Sequence, residues 1–261
     1  MQTNDWSRRH INKQVSRVRS MFRWAVSHEL IPQMAYERLR TIEPLRRGEA
    51  RERDAILPVP RSDLRRIRRH LPRQVRALID LQLLTAARAG ELVKLRGIDL
   101  DTTGPVWLYR PGDHKTAHHG KARTIYVGPR AQRIIRQFLS ADRPTDAPLF
   151  SPRESNAEQK AVGAHSKRRP NQKANPTKTD RTMGDCYTTA SYRRAIHRAC
   201  KAAGVTTWGP RRLRHNAATF LRREFGIELA KIVLEHSSLS MTEVYAERDQ
   251  RKAIAAIGKV G

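Results

Sequence analysis

Between residues 8 and 30 the apolar side chains Ile11, Val15, Val18, Phe22 and Ala25 recur at intervals of three and four. That spacing puts them on one face of a helix, with Arg17, Arg19 and Arg23 elsewhere on its surface. A short second helix is predicted after Pro32. Residues 48–60, GEARERDAILPVP, hold few apolar side chains and read as a linker stiffened at its end by Pro58 and Pro60. Beyond it, Ser62 is placed to cap a helix carrying Leu64, Ile67 and Leu71. Residues 75–84 are nearly all apolar and predict a helix lying in the core, and RAGELVKL at 88–95 opens a third.

The period then changes. VWLYR at 106–110 and ARTIYV at 122–127 are rich in β-branched and aromatic residues and are separated by polar HKTAHHGK, so a small antiparallel sheet is expected. Pro129 suits the first position of a helix carrying Ile134, Ile135, Phe138 and Leu139, and another helical period runs through Tyr192, Ile196 and Ala199. Residues 152–185 contain almost no large apolar side chain and many Lys, Arg, Asn and Gln, too little to bury for self-ordering, and predict a mobile, disordered basic insertion. Residues 211–225 predict a helix with Leu213, Ala217, Phe220 and Leu221 inward, stopped by Gly226, and 227–234 predict another. Ser240 and Glu243 have capping-box spacing, which would start a new helix with Tyr245 in its second turn. The fold class is therefore mainly α with a small antiparallel β-sheet (α+β).

With 261 residues and 38% apolar content, the chain can build a core without covalent staples. Charge changes the picture more: 52 Lys+Arg against 25 Asp+Glu leave +27, and a polyanion is the natural partner. On charge alone, a ribosomal or RNA-binding protein fits as well as a DNA-binding one. The longest apolar runs break within about a dozen residues, too short for a bilayer-spanning helix. The opening MQTNDWSRRHINKQ lacks the apolar middle of a secretory signal, and Cys186 and Cys200 form no metal-like or disulfide-like array. A cytoplasmic protein is expected.

Candidate chemistry sits in four separated pieces: Arg88 in TAARAGEL, Lys115 in HKTAHHGKARTIYV, Arg211 and Arg214 in GPRRLRHNAATFL, and His236 with Tyr245 in LEHSSLSMTEVYAERD. Singly, each has a plain structural explanation, since arginines near helix ends usually solvate a surface and tyrosines usually pack. Their order and spacing, however, resemble the tyrosine recombinase, or phage integrase, family over residues 54–247. The shared boxes are Arg-x-x-Glu after an apolar helix (Arg88, Glu91), a lysine in a β-hairpin (Lys115), Leu-Arg-His at 213–215, and Leu-x-His followed nine residues later by tyrosine.

The resemblance implies the catalytic-domain fold of that family and a site-specific DNA recombinase, one that cleaves and rejoins duplex DNA through a 3′-phosphotyrosyl intermediate on Tyr245. It implies a DNA-bound tetramer, no metal or other cofactor and no membrane. Residues 1–47 would be the remnant of a helical core-binding domain, 48–60 the linker, and 61–261 the catalytic domain. The residue types suit the chemistry. Attack on a phosphodiester puts negative charge on the nonbridging oxygens, which the guanidinium forks of Arg88 and Arg214 can bind bidentately. Preorganised donors of this kind each commonly supply on the order of 3 kcal/mol in the transition state. By resemblance, His236 is a further phosphate donor and Glu91 buttresses the site. Lys115 is the candidate proton donor to the leaving 5′-oxygen, with Lys121 as the alternative between the same strands. His215 is expected to face away from Arg214 in a structural role.

The chain also departs from the family. Arg211 stands where most relatives carry the histidine usually assigned to accept the tyrosine proton, three residues before Arg214 and on the same helical face. Arginine stays protonated and cannot be a conventional base, although it can bind phosphate or lower the phenol pKa. Glu235 replaces the glycine of Leu-Gly-His, a carboxylate that would repel DNA unless turned outward. At the front, only the last helix or two of the core-binding domain, residues 8–40, is expected. A relative that binds DNA without cutting it therefore stays open as the alternative.

Overall fold

The computed structural model describes residues 5–54, 56–112, 123–161 and 184–235. The chain divides into two compact units, residues 1–56 and 57–261. In the first, α1 (Arg8–Ser27) packs on α2 (Gln33–Arg40). Arg19 Nε donates to Leu39 O at 3.0 Å, and Asn12 exchanges two hydrogen bonds with the Leu45 backbone at 2.9 and 3.0 Å. The predicted apolar stripe is present but open: neither helix has a buried residue, and Ile11, Val15 and Val18 line an apolar cavity of about 250 Å³ with Trp6, Leu39 and Ile42.

The second unit begins with α3 (Arg61–Arg68), whose N-cap is Pro60 with no side-chain cap. Ser62 therefore lies inside the first turn rather than capping it, because the fixed φ of proline already presents the chain for a helical start. Next, α4 (Arg73–Thr85) buries Val75, Leu78, Ile79 and Leu81 and also Gln74, Gln82 and Thr85, so it is covered nearly all round. It ends on Ala86 in the left-handed conformation, φ 55°. The third helix shrinks to one turn, α5 (Ala89–Leu92), because the following residues tighten into a turn in which Leu95 N–H donates to Leu92 O.

Strands β1 (Leu100–Asp101), β2 (Trp107–Tyr109) and β3 (Ile125–Val127) form an antiparallel sheet in that order. Trp107 faces Val127 and Tyr109 faces Ile125, and all four are buried, while Tyr126 between them is exposed. This is the alternation of a half-covered sheet. Pro129 opens α6 (Pro129–Arg136), which packs on α4 and β3.

The insertion expected to be disordered begins instead as a helix, α7 (Pro152–Ala161). Polar anchors do what apolar burial could not: Ser151 N donates to the buried Gln74 Oε1 at 2.7 Å, Arg143 Nη2 to Glu154 at 2.6 Å, and Arg73 Nη2 to Glu158 at 2.6 Å. Residues 162–183 lie outside the described residues. Beyond them, Thr188 and Ser191 cap each other to start α8 (Thr189–Ala202), whose Tyr192, Ile196 and Ala199 enter the main core.

Two helices close the described part, α9 (Arg211–Phe225) and α10 (Ile227–Leu234), which pack on each other while α9 also packs on α4. Leu213 and Ala217 are buried as predicted, but Phe220 is exposed and meets Phe225 edge-on at 6.2 Å. The inward positions go to Arg214, His215 and Ala218 instead. A second small core of Ala86, Ala217, Ala218, Ala230 and Leu234 lets α9 and α10 approach closely where α4 ends. Gly226 joins the two helices at φ 89°. No helix among the described residues is long and apolar enough to cross a membrane.

Candidate active site

Arg88 sits at the N-cap of α5, and the carboxylate of Glu91 reaches back to hold it twice. The Arg88 backbone N–H donates to Oε2 and its Nη1 to Oε1, both at 2.7 Å. The first contact is the glutamate half of a capping box. Glu91 is only 4% exposed, so its charge needs further partners, and it finds them in Arg123, whose Nε and Nη2 donate to the two carboxylate oxygens at 3.2 and 3.4 Å. Burial alone would raise the Glu91 pKa. The charge of Arg123, the Arg88 backbone N–H and the Arg88 guanidinium outweigh it and hold Glu91 below the ordinary carboxylate range. Tyr109 completes the surroundings by donating its hydroxyl to Glu91 O at 2.7 Å.

No sequence motif marks Arg123, whose side chain has no exposed surface. A signal was available: positions 123, 125 and 127 alternate onto the same buried face, and a charge at a core position requires a counter-charge. Its second counter-charge is Glu235, with Oε2 at 3.1 Å from Nη1. The other oxygen, Oε1, accepts the Thr124 backbone N–H at 3.0 Å. The carboxylate, expected to repel DNA unless turned outward, is engaged by the residue preceding β3. Glu235 is also the C-cap of α10 in the left-handed conformation, φ 47° and ψ 55°, a backbone state that costs a non-glycine residue about 1–2 kcal/mol.

Arg214 is 7% exposed and braces two helix ends. Its Nη1 donates to Ala86 O and its Nη2 to Leu234 O, both at 2.6 Å. These carbonyls lie at the C-termini of α4 and α10, where helices leave acceptors unsatisfied. One guanidinium therefore ties the turn two residues before Arg88 to the helix end two residues before His236. His215 is buried, and burial, then the charges of Arg211, Arg212 and Arg214, lower its pKa. Arg211 is exposed at the first position of α9. Next to it Arg212 donates to Leu57 O and Pro58 O, and Asn216 exchanges bonds with the Val59 backbone, so α9 also holds the first residues of this unit.

The structure thus brings Arg88, Glu91 and, through Glu235, the residue preceding His236 into one network, with Arg214 bridging the same segments. Lys115, Lys121, His236 and Tyr245 lie outside the described residues, as does the predicted capping box at Ser240 and Glu243. In sequence, Lys115 and Lys121 lie between β2 and β3, which pair antiparallel.

Residues 62–252 match the phage integrase family. Two curated relatives named tyrosine recombinase XerC, from Bifidobacterium longum strain DJO10A and from Bifidobacterium longum subsp. infantis, are each 29% identical over 175 residues, 65% of this chain and 42% of theirs. The chain thus spans less than half the length of these relatives. Among solved structures, the Tn1549 transposon integrase in complex with a circular intermediate DNA superposes with a TM-score of 0.65 at 15% identity, over 97% of this chain and 80% of that one. A lambda integrase dimer bound to a COC′ core site gives 0.59 at 13% identity, over 95% and 83%. At these identities the likeness is one of fold.

Proposed function

The chain belongs to the phage integrase family, and from that membership we propose that it is a site-specific DNA recombinase, cleaving and rejoining duplex DNA through a 3′-phosphotyrosyl link on Tyr245. The observation that carries this reading is the bracing of Arg214 against both Ala86 O and Leu234 O. It holds the segment leading to Arg88 and the segment leading to His236 at one buried cation, as a site assembled from distant boxes requires.

In this reading Arg88, Arg214 and His236 bind the nonbridging oxygens of the scissile phosphate, where charge grows as the phenol oxygen of Tyr245 attacks phosphorus. The bond to the 5′-oxygen breaks, and Lys115, or Lys121 from the same hairpin, gives that oxygen its proton. The phosphodiester energy is kept in the protein–DNA link, so rejoining needs no nucleotide. Glu91 fixes Arg88 by two contacts rather than reacting. Arg211, exposed at the positive end of a 15-residue helix, adds cationic charge toward phosphate, and since arginine cannot accept a proton the phenol proton passes to solvent water. Residues 1–47 act as a core-binding segment, 48–60 as the linker and 61–261 as the catalytic domain. The partners are duplex DNA and, on it, further copies of the chain in a tetramer, within the cytoplasm.

The test uses duplexes selected for binding from a randomised pool and nicked at staggered positions to trap the cleaved state. A DNA-linked protein species that survives denaturation and disappears on Tyr245→Phe is expected. Tight duplex binding with no such species at any nick position would refute cleavage and leave a DNA-binding protein.

A further inference from the structure

Glu235 is held in a left-handed backbone conformation that glycine would adopt freely, yet its side chain is used twice. One carboxylate oxygen accepts the Thr124 N–H at 3.0 Å and the other pairs with Arg123 at 3.1 Å. Thr124 is the last residue before β3, at the foot of the hairpin that carries Lys115, and His236 is the next residue along the chain from Glu235. Arg123 in turn grips Glu91, which grips Arg88.

We propose that Glu235 is a positioning residue: its carboxylate clasps the end of α10 to the foot of the β2–β3 hairpin, so that the backbone leading into His236 is set by the same network that fixes Arg88. The inference rests on the proposed reading of His236, Lys115 and Arg88 as phosphate-site residues. It assigns Glu235 no contact with DNA. Of the anionic and cationic groups in the cluster, Arg88 and Arg123 balance Glu91 and Glu235, so the carboxylate neutralises a buried cation that would otherwise carry excess charge. The two views of Glu235 part on its removal: a clasp predicts slower cleavage at unchanged duplex affinity, a repulsive intruder tighter binding with cleavage undiminished.

The full chain is compared as wild type, Glu235→Gly and Glu235→Gln. Glycine relieves the backbone but removes both contacts, whereas glutamine keeps an acceptor for Thr124 N–H and loses the charge facing Arg123. In Glu235→Gly, amide exchange at Thr124 is expected to accelerate about tenfold or more. The rate of covalent complex formation at saturating duplex is expected to fall on the order of tenfold, while duplex affinity stays within about twofold. Glu235→Gln falls between the two, and the His236 ring resonances move further in Glu235→Gly than in Glu235→Gln. Tighter duplex binding with undiminished cleavage in Glu235→Gly would overturn the clasp and restore the repulsive reading. If the wild type forms no covalent complex on any duplex, the recombinase reading fails, while unchanged Thr124 exchange and unmoved His236 resonances separately overturn the clasp.

Discussion

Arg123 is a full positive charge with no exposed side-chain surface, and it is tolerated only because Glu91 and Glu235 face it from two other segments. Removing it takes one cationic partner from Glu91, which keeps its two Arg88 contacts, and one from the half-exposed Glu235, a loss of about 1–3 kcal/mol. Arg123→Leu is therefore expected to lower the unfolding free energy by that amount in urea titrations. Ionisation gives a second handle. His215 has a folded pKa below its unfolded value of about 6.5, first through burial and then through Arg211, Arg212 and Arg214. Between the two values the unfolded chain binds the extra proton, so stability rises with pH there and the contribution is complete above about 6.5. Glu91 behaves alike at lower pH, contributing above its unfolded value of 4.5 and losing that contribution as pH falls through its depressed folded value. In a pH series of urea midpoints, His215→Gln should flatten the slope just below neutrality and leave the acidic slope from Glu91. Of these residues, Arg88, Glu91 and Arg214 were legible because their spacing forms recognisable boxes. Arg123 lies just before a short strand, where no motif marks it, and the contacts of Glu235 were not legible because a carboxylate's partner cannot be read from its neighbours in sequence.

Among the elements, α9 was predicted with its bounds and its closing glycine, since a capped 15-residue period leaves little freedom. The predicted face departs at one position: Leu213 and Ala217 are buried and Leu221 packs on the second core, but Phe220 gives way to Ala218 and to Arg214, which has two carbonyls to satisfy. A lysine donates from a single nitrogen and lacks the planar fork whose two nitrogens each take one carbonyl. Arg214→Lys should accelerate amide exchange at the end of α10 and reduce covalent complex formation about 10²–10³-fold at saturating duplex. Gly226, at φ 89° and ψ 172°, occupies a region essentially closed to other residues, although open space surrounds the position of an added Cβ. Gly226→Ala should thus cost about 1–3 kcal/mol through the backbone alone, read as a lowered thermal midpoint. The helix α7 escaped prediction because it is held by polar anchors, Arg73 and Gln74 from far away in sequence and Arg143 from the preceding segment, which leave no apolar period behind.

At the scale of the whole molecule, the α+β class was legible because the switch from helical to alternating period brackets the sheet. The two-residue strand β1 was not, since its pairing depends on β2 rather than on its own composition. The charge of +27 pointed to a polyanion without naming its chemistry. What distinguishes a strand-transfer enzyme from any other basic protein is the bond it makes. The decisive measurement is therefore mass spectrometric mapping of the protein–DNA adduct trapped on nicked duplexes. A peptide bearing a 3′-phosphonucleotide on Tyr245, together with a free 5′-hydroxyl on the released strand, is the expected result. A 5′-phosphate link, or attachment at any other residue, would contradict it.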